Sequence, residues 1–178
     1  MIASDIHGSS YYCKLMLEAF EREKADRLLL LGDILYHGPR NDLPREYAPK
    51  EVLAMLNGMK DKILCVRGNC DTEVDQMVLE FPIMADYAVV MIGEHIIYAT
   101  HGHNYNEMNL PPLQKGDILL NGHTHVPKYI AYENYVYMNP GSISIPKENS
   151  CNSYMMIDEN GFVWKNLEDG TKYIEYKE

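Results

Sequence analysis

Short apolar runs alternate with amphipathic stretches through the first half of the chain and crowd together in the second. Ile2 and Ala3, Leu28 to Leu31 and Ile63 to Val66 form compact apolar runs, the pattern of buried strands, and predict strands over residues 2–4, 27–31 and 62–67. Between them, Tyr12, Leu15, Met16, Ala19 and Phe20, and then Val52, Met55, Leu56 and Met59, recur at three-and-four spacing. That spacing predicts helices over about 11–24 and 49–59. Such a β-α-β-α-β opening implies a parallel sheet with right-handed crossovers. After a short helix over 73–79, strands are predicted at 87–92, 95–100, 117–121, 129–133, 135–138, 154–157 and 162–166. Gly93-Glu94, Glu133-Asn134 and Glu159-Asn160-Gly161 mark hairpin turns between them. A second sheet with one buried face must lay it on the first, so two packed sheets with helices outside are expected.

Five of the apolar runs end in a side chain able to bind a metal. Asp5 and His7 follow the first, Asp33 the second, Asn69 the third, His101 the run 96–99, and His123 and His125 the run 118–120. In an α/β sheet, ligands gather in the crevice beyond the carboxyl ends of the strands. Pooled there, these oxygen and imidazole donors suffice for two cations, and burying so many polar groups without partners would cost several kcal/mol. Asp5 and His7, two apart, share one face if the strand continues, and Ser9 or Ser10 then caps the first helix. The two carboxylate oxygens of Asp33 could bridge two ions, and the Asn69 amide oxygen ligates without adding charge. Taken singly, Gly32-Asp33 and Gly68-Asn69 read as turns. The clustering of five of the seven histidines in three strand-end motifs is what argues for a site.

Composition narrows the class. A chain of 178 residues with 46% hydrophobic and 24% charged residues suits one soluble domain spanning 1–178. No apolar stretch approaches the ~18 residues needed to cross a bilayer, and no signal peptide is visible, so a cytoplasmic protein is expected. Cys13, Cys65, Cys70 and Cys151 show no CxxC spacing, which favours reduced thiols. The net charge of −10 argues against nucleic-acid or membrane partners, yet leaves a small phosphorylated substrate open, since bound cations reverse the field locally. A homo-oligomer is also left open. The chain begins almost inside its first strand, which raises the expectation that a few residues precede it naturally.

In order along the chain, DIH, GD, RGNCD, H and GHTH resemble the calcineurin-like metallophosphoesterase superfamily, and the segments GDILYHGPRNDLP and NPGSISIPK resemble its small bacterial phosphodiesterases of the YfcE type. The resemblance implies a four-layer αββα sandwich of two mixed sheets flanked by helices. It also implies a two-metal site: Asp5, His7, Asp33 and His125 for the first ion, Asp33, Asn69, His101 and His123 for the second, with Asp33 bridging. Mixed nitrogen and oxygen donors suit Mn, Fe or Zn better than an all-oxygen Mg site, and the resemblance puts Mn first. Two such ions sharing a water would yield a hydroxide nucleophile near neutral pH and neutralise the phosphoryl oxygens. The expected enzyme is therefore a metal-dependent phosphodiesterase acting on small phosphate esters. A phosphomonoesterase or nucleotide pyrophosphatase would use the same residues, and a non-catalytic scaffold of this fold is the contrasting reading.

One position departs from the superfamily pattern. Where many members carry a histidine after the GN asparagine, this chain has Cys70, a weak proton donor, so His103 or a metal-bound water would have to protonate the leaving group. Asp71 is read as orienting Cys70 or His103, or else as capping the following helix. The irregular stretches 36–47 and 104–114 are natural substrate walls. In the first, Arg40 and Asn41 are placed either to grip a phosphate or a second ester arm, or to sit in solvent.

Overall fold

The computed structural model describes residues 1–158 and 161–176. Its elements are β1 (Ile2–Ala3), α1 (Ser10–Arg22), β2 (Leu28–Leu30), α2 (Pro49–Asn57), β3 (Ile63–Cys65), α3 (Glu73–Gln76), β4 (Ala88–Ile92), β5 (His95–Ala99), β6 (Asp117–Leu120), β7 (Pro127–Ala131), β8 (Tyr135–Pro140), β9 (Ser153–Asp158), β10 (Gly161–Asn166) and β11 (Lys172–Tyr176). They build two mixed sheets, six strands in the order β11-β10-β9-β1-β2-β3 and five in the order β4-β5-β6-β8-β7. The parallel opening is observed, with β1 beside β2 and β2 beside β3 in parallel register.

Two apolar layers hold these parts together. Between the sheets lie Leu29, Leu31, Val66, Ile97, Ile118, Leu120, Met138, Phe162 and Trp164, drawn from both. On the other face of the six-stranded sheet, Ala3, Leu28 and Leu30 meet Met16, Ala19 and Phe20 of α1 and Val52 and Leu56 of α2. Consecutive residues of β2 thus serve opposite layers, which is why an unbroken Leu run suits a strand buried on both faces. Burying a leucine or phenylalanine side chain here contributes roughly 1.5–3 kcal/mol.

Helices lie where the first-half periodicity predicts them, and Ser9, not Ser10, caps α1, its side chain accepting from Tyr12 N. Two mixed sheets with helices alongside match the expected fold class, and among the described residues no helix forms between β5 and β8. The reason is local. The β5-to-β6 link is the Asn- and Pro-rich stretch 100–116, poor in helix formers, while β6 and β8 are joined through β7, which pairs antiparallel with β8 at the sheet edge. Strand β7 begins at Pro127, two residues before its predicted start, a position that an edge strand tolerates. Strand β11 was not predicted, although Ile174 and Tyr176 alternate toward the inter-sheet layer. Of the turn predicted at Glu159-Asn160-Gly161, the first two residues lie outside the described residues. Among the described residues no helix is long and apolar enough to cross a membrane.

Candidate metal centre

Beyond the ends of β1 and β2 the chains stay locked together. Leu31 N donates to Ala3 O, Asp5 N to Gly32 O, His7 N to Asp33 O and Gly8 N to Ile34 O, at 2.8–3.1 Å. The strand itself does not continue: Asp5, His7 and Asp33 all take positive φ, of 59, 50 and 56°, and His123 and His125 do the same at 65 and 62°. Asp5 and His7 therefore converge by left-handed turns, not by the two-residue alternation of a strand. Such backbone costs of order 1–3 kcal/mol per residue and persists only where surrounding contacts over-determine it. Gly68 shows how tight the packing is, for a Cβ there would lie 2.1 Å from Asp33 Oδ1.

The turns bring all seven predicted ligands together in two sets. In the first, His7 Nε2 and His125 Nε2 lie 3.2 Å apart, and Asp5 Oδ1 is 3.5 Å from the former and 3.2 Å from the latter. In the second, His101 Nε2 lies 3.1 Å from Asn69 Oδ1, 3.2 Å from His123 Nδ1 and 3.5 Å from Asp33 Oδ2. Asp33 Oδ2 is also 3.7 Å from His7 Nε2, so one oxygen faces both sets. The other, Oδ1, accepts from Cys70 N at 2.8 Å, which corrects the expectation that Asp33 would offer both oxygens.

Three of the four remaining imidazole nitrogens are committed. His7 Nδ1 meets Tyr36 O at 2.9 Å, His101 Nδ1 meets Leu31 O at 2.6 Å and His125 Nδ1 meets Ile145 O at 2.6 Å. Donating at Nδ1 turns each Nε2 into the inward-facing ligand atom. Lone pairs then face one another at about 3 Å, and Asp5 Oδ1 is buried with no hydrogen-bond partner. A shared proton relieves one His–His pair but leaves that oxygen orphaned. A divalent ion relieves every donor at once, since ligand atoms bound at roughly 2.1 Å lie about 3.0–3.4 Å from one another. The residues present fit two cations, with donor chemistry suited to Mn, Fe or Zn.

Charge supports the same arrangement. Burial opposes ionisation of Asp5, yet His125 and His7 hold its pKa well below the usual carboxylate range. Burial also lowers His101, but Asp33 and Asp5 outweigh it and raise the ring to about 9. His123, desolvated and facing His101, is pushed down to about 4. These shifts describe carboxylates seeking positive charge.

Asp71 takes neither predicted role. Its carboxylate accepts from Asp33 N, Ile34 N and Gly68 N at 2.7–2.9 Å, tying the two ligand turns together, while Thr72 caps α3 in a capping box with Asp75. Sequence reasoning quoted NPGSISIPK without giving its residues a role, and the structure supplies one. Ser142 Oγ and Ser144 Oγ both donate to Asp5 O, at 2.9 and 2.7 Å, and Asn139 Nδ2 donates to Gly122 O at 2.7 Å. A rigid Ser- and Gly-containing loop directly after a strand was the available signal.

A cavity of about 380 Å³ opens beside both sets, lined by Asp33, Asn69, Cys70, His123 and His125 and by Gly38, Pro39, Arg40, Asn41, Thr124 and Lys147. Arg40 and Asn41 both line it, and Asn41 Nδ2 donates to His37 O, bracing the turn that presents Arg40. Lys147 and Thr124 were not singled out. The Cys70 thiol, raised in pKa by burial and then by Asp33, receives a hydrogen bond from Asn69 Nδ2 at 3.3 Å. Its sulfur also lies within 4.8 Å of ligand atoms of His7 and Asp33. His103 stands 5.4 Å from His101, ring to ring, but does not line the cavity.

Known proteins share this organisation. Phosphodiesterase YfcE of Escherichia coli strain K12 is 47% identical over 160 residues, covering 90% of this chain and 87% of that protein. A solved structure of YfcE, described as a phosphoesterase from E. coli, superposes with a TM-score of 0.96 at 44% identity, covering 99% of this chain and 97% of that one. Vacuolar Protein Sorting 29 from Cryptosporidium parvum shares the fold at a TM-score of 0.62 and 21% identity, over 99% of this chain and 96% of its own. Residues 1–161 match the family model of the calcineurin-like phosphoesterase superfamily domain. With that match, the chain belongs to the calcineurin-like phosphoesterase superfamily.

Proposed function

We propose that the protein is a dinuclear-metal phosphodiesterase that hydrolyses small phosphate esters. The observation that carries this reading is Asp33 Oδ2, a single buried oxygen shared by two sets of inward-facing donors at the wall of a cavity. When bound, two divalent cations supply Lewis acidity toward phosphoryl oxygens and lower the pKa of water. The chain supplies position and charge. Tyr36, Leu31 and Ile145 carbonyls aim three imidazoles, Ser142 and Ser144 hold the Asp5 backbone, and Asp71 locks the Asp33 turn against Gly68. Arg40 and Lys147 place positive charge on the cavity wall, where an anionic ester would rest.

The chain offers little acid for the leaving group. Cys70 is a weak donor whose pKa burial raises, and His103 is lowered by burial and by His101. Esters with good leaving groups are therefore the favoured substrates. The non-catalytic reading is opposed by the ligand set itself, in which every donor position is filled. The test is reconstitution with Mn, Fe, Zn or Mg, followed by elemental analysis and assay of bis-p-nitrophenyl phosphate and p-nitrophenyl phosphate. Two ions per chain with diester turnover is the expected result; a loaded protein inert toward every ester would overturn the assignment.

A further inference from the structure

Resting on the reading of this cavity as a phosphodiester site, we infer that its substrates carry a negative charge beyond the scissile phosphate, and that Lys147 selects for it. The cavity wall holds two cationic side chains, Arg40 and Lys147, and one carboxylate, Asp33, which is committed to the metal donors. Neither cation has an ion-pair partner among the described residues. On a chain of net charge −10, they give this cavity wall a local excess of positive charge.

Both are held there by the ligand loops themselves. Arg40 follows Gly38, whose Cα region abuts Cys70 Sγ, and the turn is closed by Asn41 Nδ2 donating to His37 O at 2.8 Å. Lys147 N donates to His125 O at 3.2 Å, and Lys147 O accepts from Ser150 N and Ser150 Oγ at 3.0 and 2.6 Å. The turn between them runs through Glu148 and Asn149, both at positive φ of 55 and 58°. The backbone of Lys147 is thus held on the His125 side of the cavity and the turn carrying Arg40 on the Cys70 side, both with exposed side chains. The space of about 380 Å³ exceeds what a phosphate group alone fills.

Two divalent ions against Asp5, Asp33, a shared hydroxide and a monoanionic diester would already be charge-balanced, which leaves Arg40 and Lys147 without a counter-charge. A further pair of cations suits a ligand with an extra carboxylate or phosphate beyond the scissile group. A dialkyl diester with neutral arms would leave Lys147 without a counter-charge, and a choline arm would be repelled.

The test separates this inference from the proposed activity by measuring binding and turnover independently. Three dialkylphosphinates, which have no ester bond to cleave, are titrated calorimetrically into the Mn-loaded protein; their variable arms are propyl, carboxyethyl and trimethylammonioethyl. Matching p-nitrophenyl phosphodiesters are assayed in parallel. The carboxyethyl probe is expected to bind about fivefold tighter than the propyl probe, the upper end of what one screened charge contact provides, with the cationic probe weakest. In Lys147→Met the order should compress to within about twofold, and Lys147→Arg should restore it. Equal binding of the three probes by the wild type, or an order that survives Lys147→Met, would overturn the inference. If the phosphinates follow the predicted order while no diester is hydrolysed with any metal, the charge selection stands and the hydrolytic reading fails.

Discussion

The two donor sets differ in how they meet solvent. Asp5, His7 and His125 are 0–3% exposed, and of that set only His125 reaches the cavity wall. In the second set Asn69 is exposed and His123 half-buried, and both line the cavity. Their support differs too. Asp5 is clamped by two serine hydroxyls on its carbonyl and by Ser4 Oγ and His123 N on its Oδ2. Asn69 has only the Cys70 sulfur as acceptor for its amide. If both sets hold ions, as proposed, the buried, clamped set would bind tightly and release slowly, while the more open one would hold an exchangeable ion, the two being joined through Asp33.

The largest expected effect comes from removing that join. Asp33→Asn should lower metal content at both positions and cut diester hydrolysis by at least about 10³-fold while circular dichroism shows the fold intact. Two ions retained with near-normal turnover would break the comparison at its root. Next, His125→Ala should deplete the anchored position and His123→Ala the open one, resolved by anomalous scattering at the metal edge. In the wild type a chelator should strip the second position first; equal loss from both would show that burial does not divide them. A smaller effect is expected one step from the metal. Ser144→Ala should weaken the anchored ion by about 10- to 100-fold, leave the other unchanged, and cost about 1 kcal/mol of stability from one lost hydrogen bond.

The smallest effect is a pH dependence of the chelated protein. Asp33 and Asp5 outweigh burial to raise His101 to about 9, above its ordinary value near 6.5. A raised histidine contributes stability that is fully present below about pH 6.5 and is lost as pH climbs through about 9. The melting temperature of the chelated wild type should therefore exceed that of chelated His101→Gln by most at the acid end of this window, the margin shrinking toward its alkaline end. Loaded with metal, the margin should lose its pH dependence, because the ion holds the imidazole neutral across the window.

The first half of the chain was the more legible half. Its helices bury one stripe on one sheet, so periodicity reports them directly, as Met16, Ala19 and Phe20 show. The second half misled more often, at the edge strands β7 and β11, whose pairing depends on neighbours distant in sequence. The connection 100–116, rich in Asn and Pro, forms no helix among the described residues, in keeping with its composition.

By itself, the sequence pointed to two packed sheets and to the seven candidate donors that the structure brings together, because apolar runs ending in Asp, Asn or His report both a buried strand and its costly polar end. Tertiary structure alone decided what each donor atom does. That Asp33 spends one oxygen on Cys70 N and shares the other, that Asp71 ties turns instead of capping a helix, and that Ser142 and Ser144 hold the Asp5 carbonyl all follow from contacts across tens of residues. Left-handed backbone at Asp5, His7, Asp33, His123 and His125 lies beyond any local rule for the same reason. No short segment would choose that conformation alone, and only packing from several segments at once makes it the lowest in free energy.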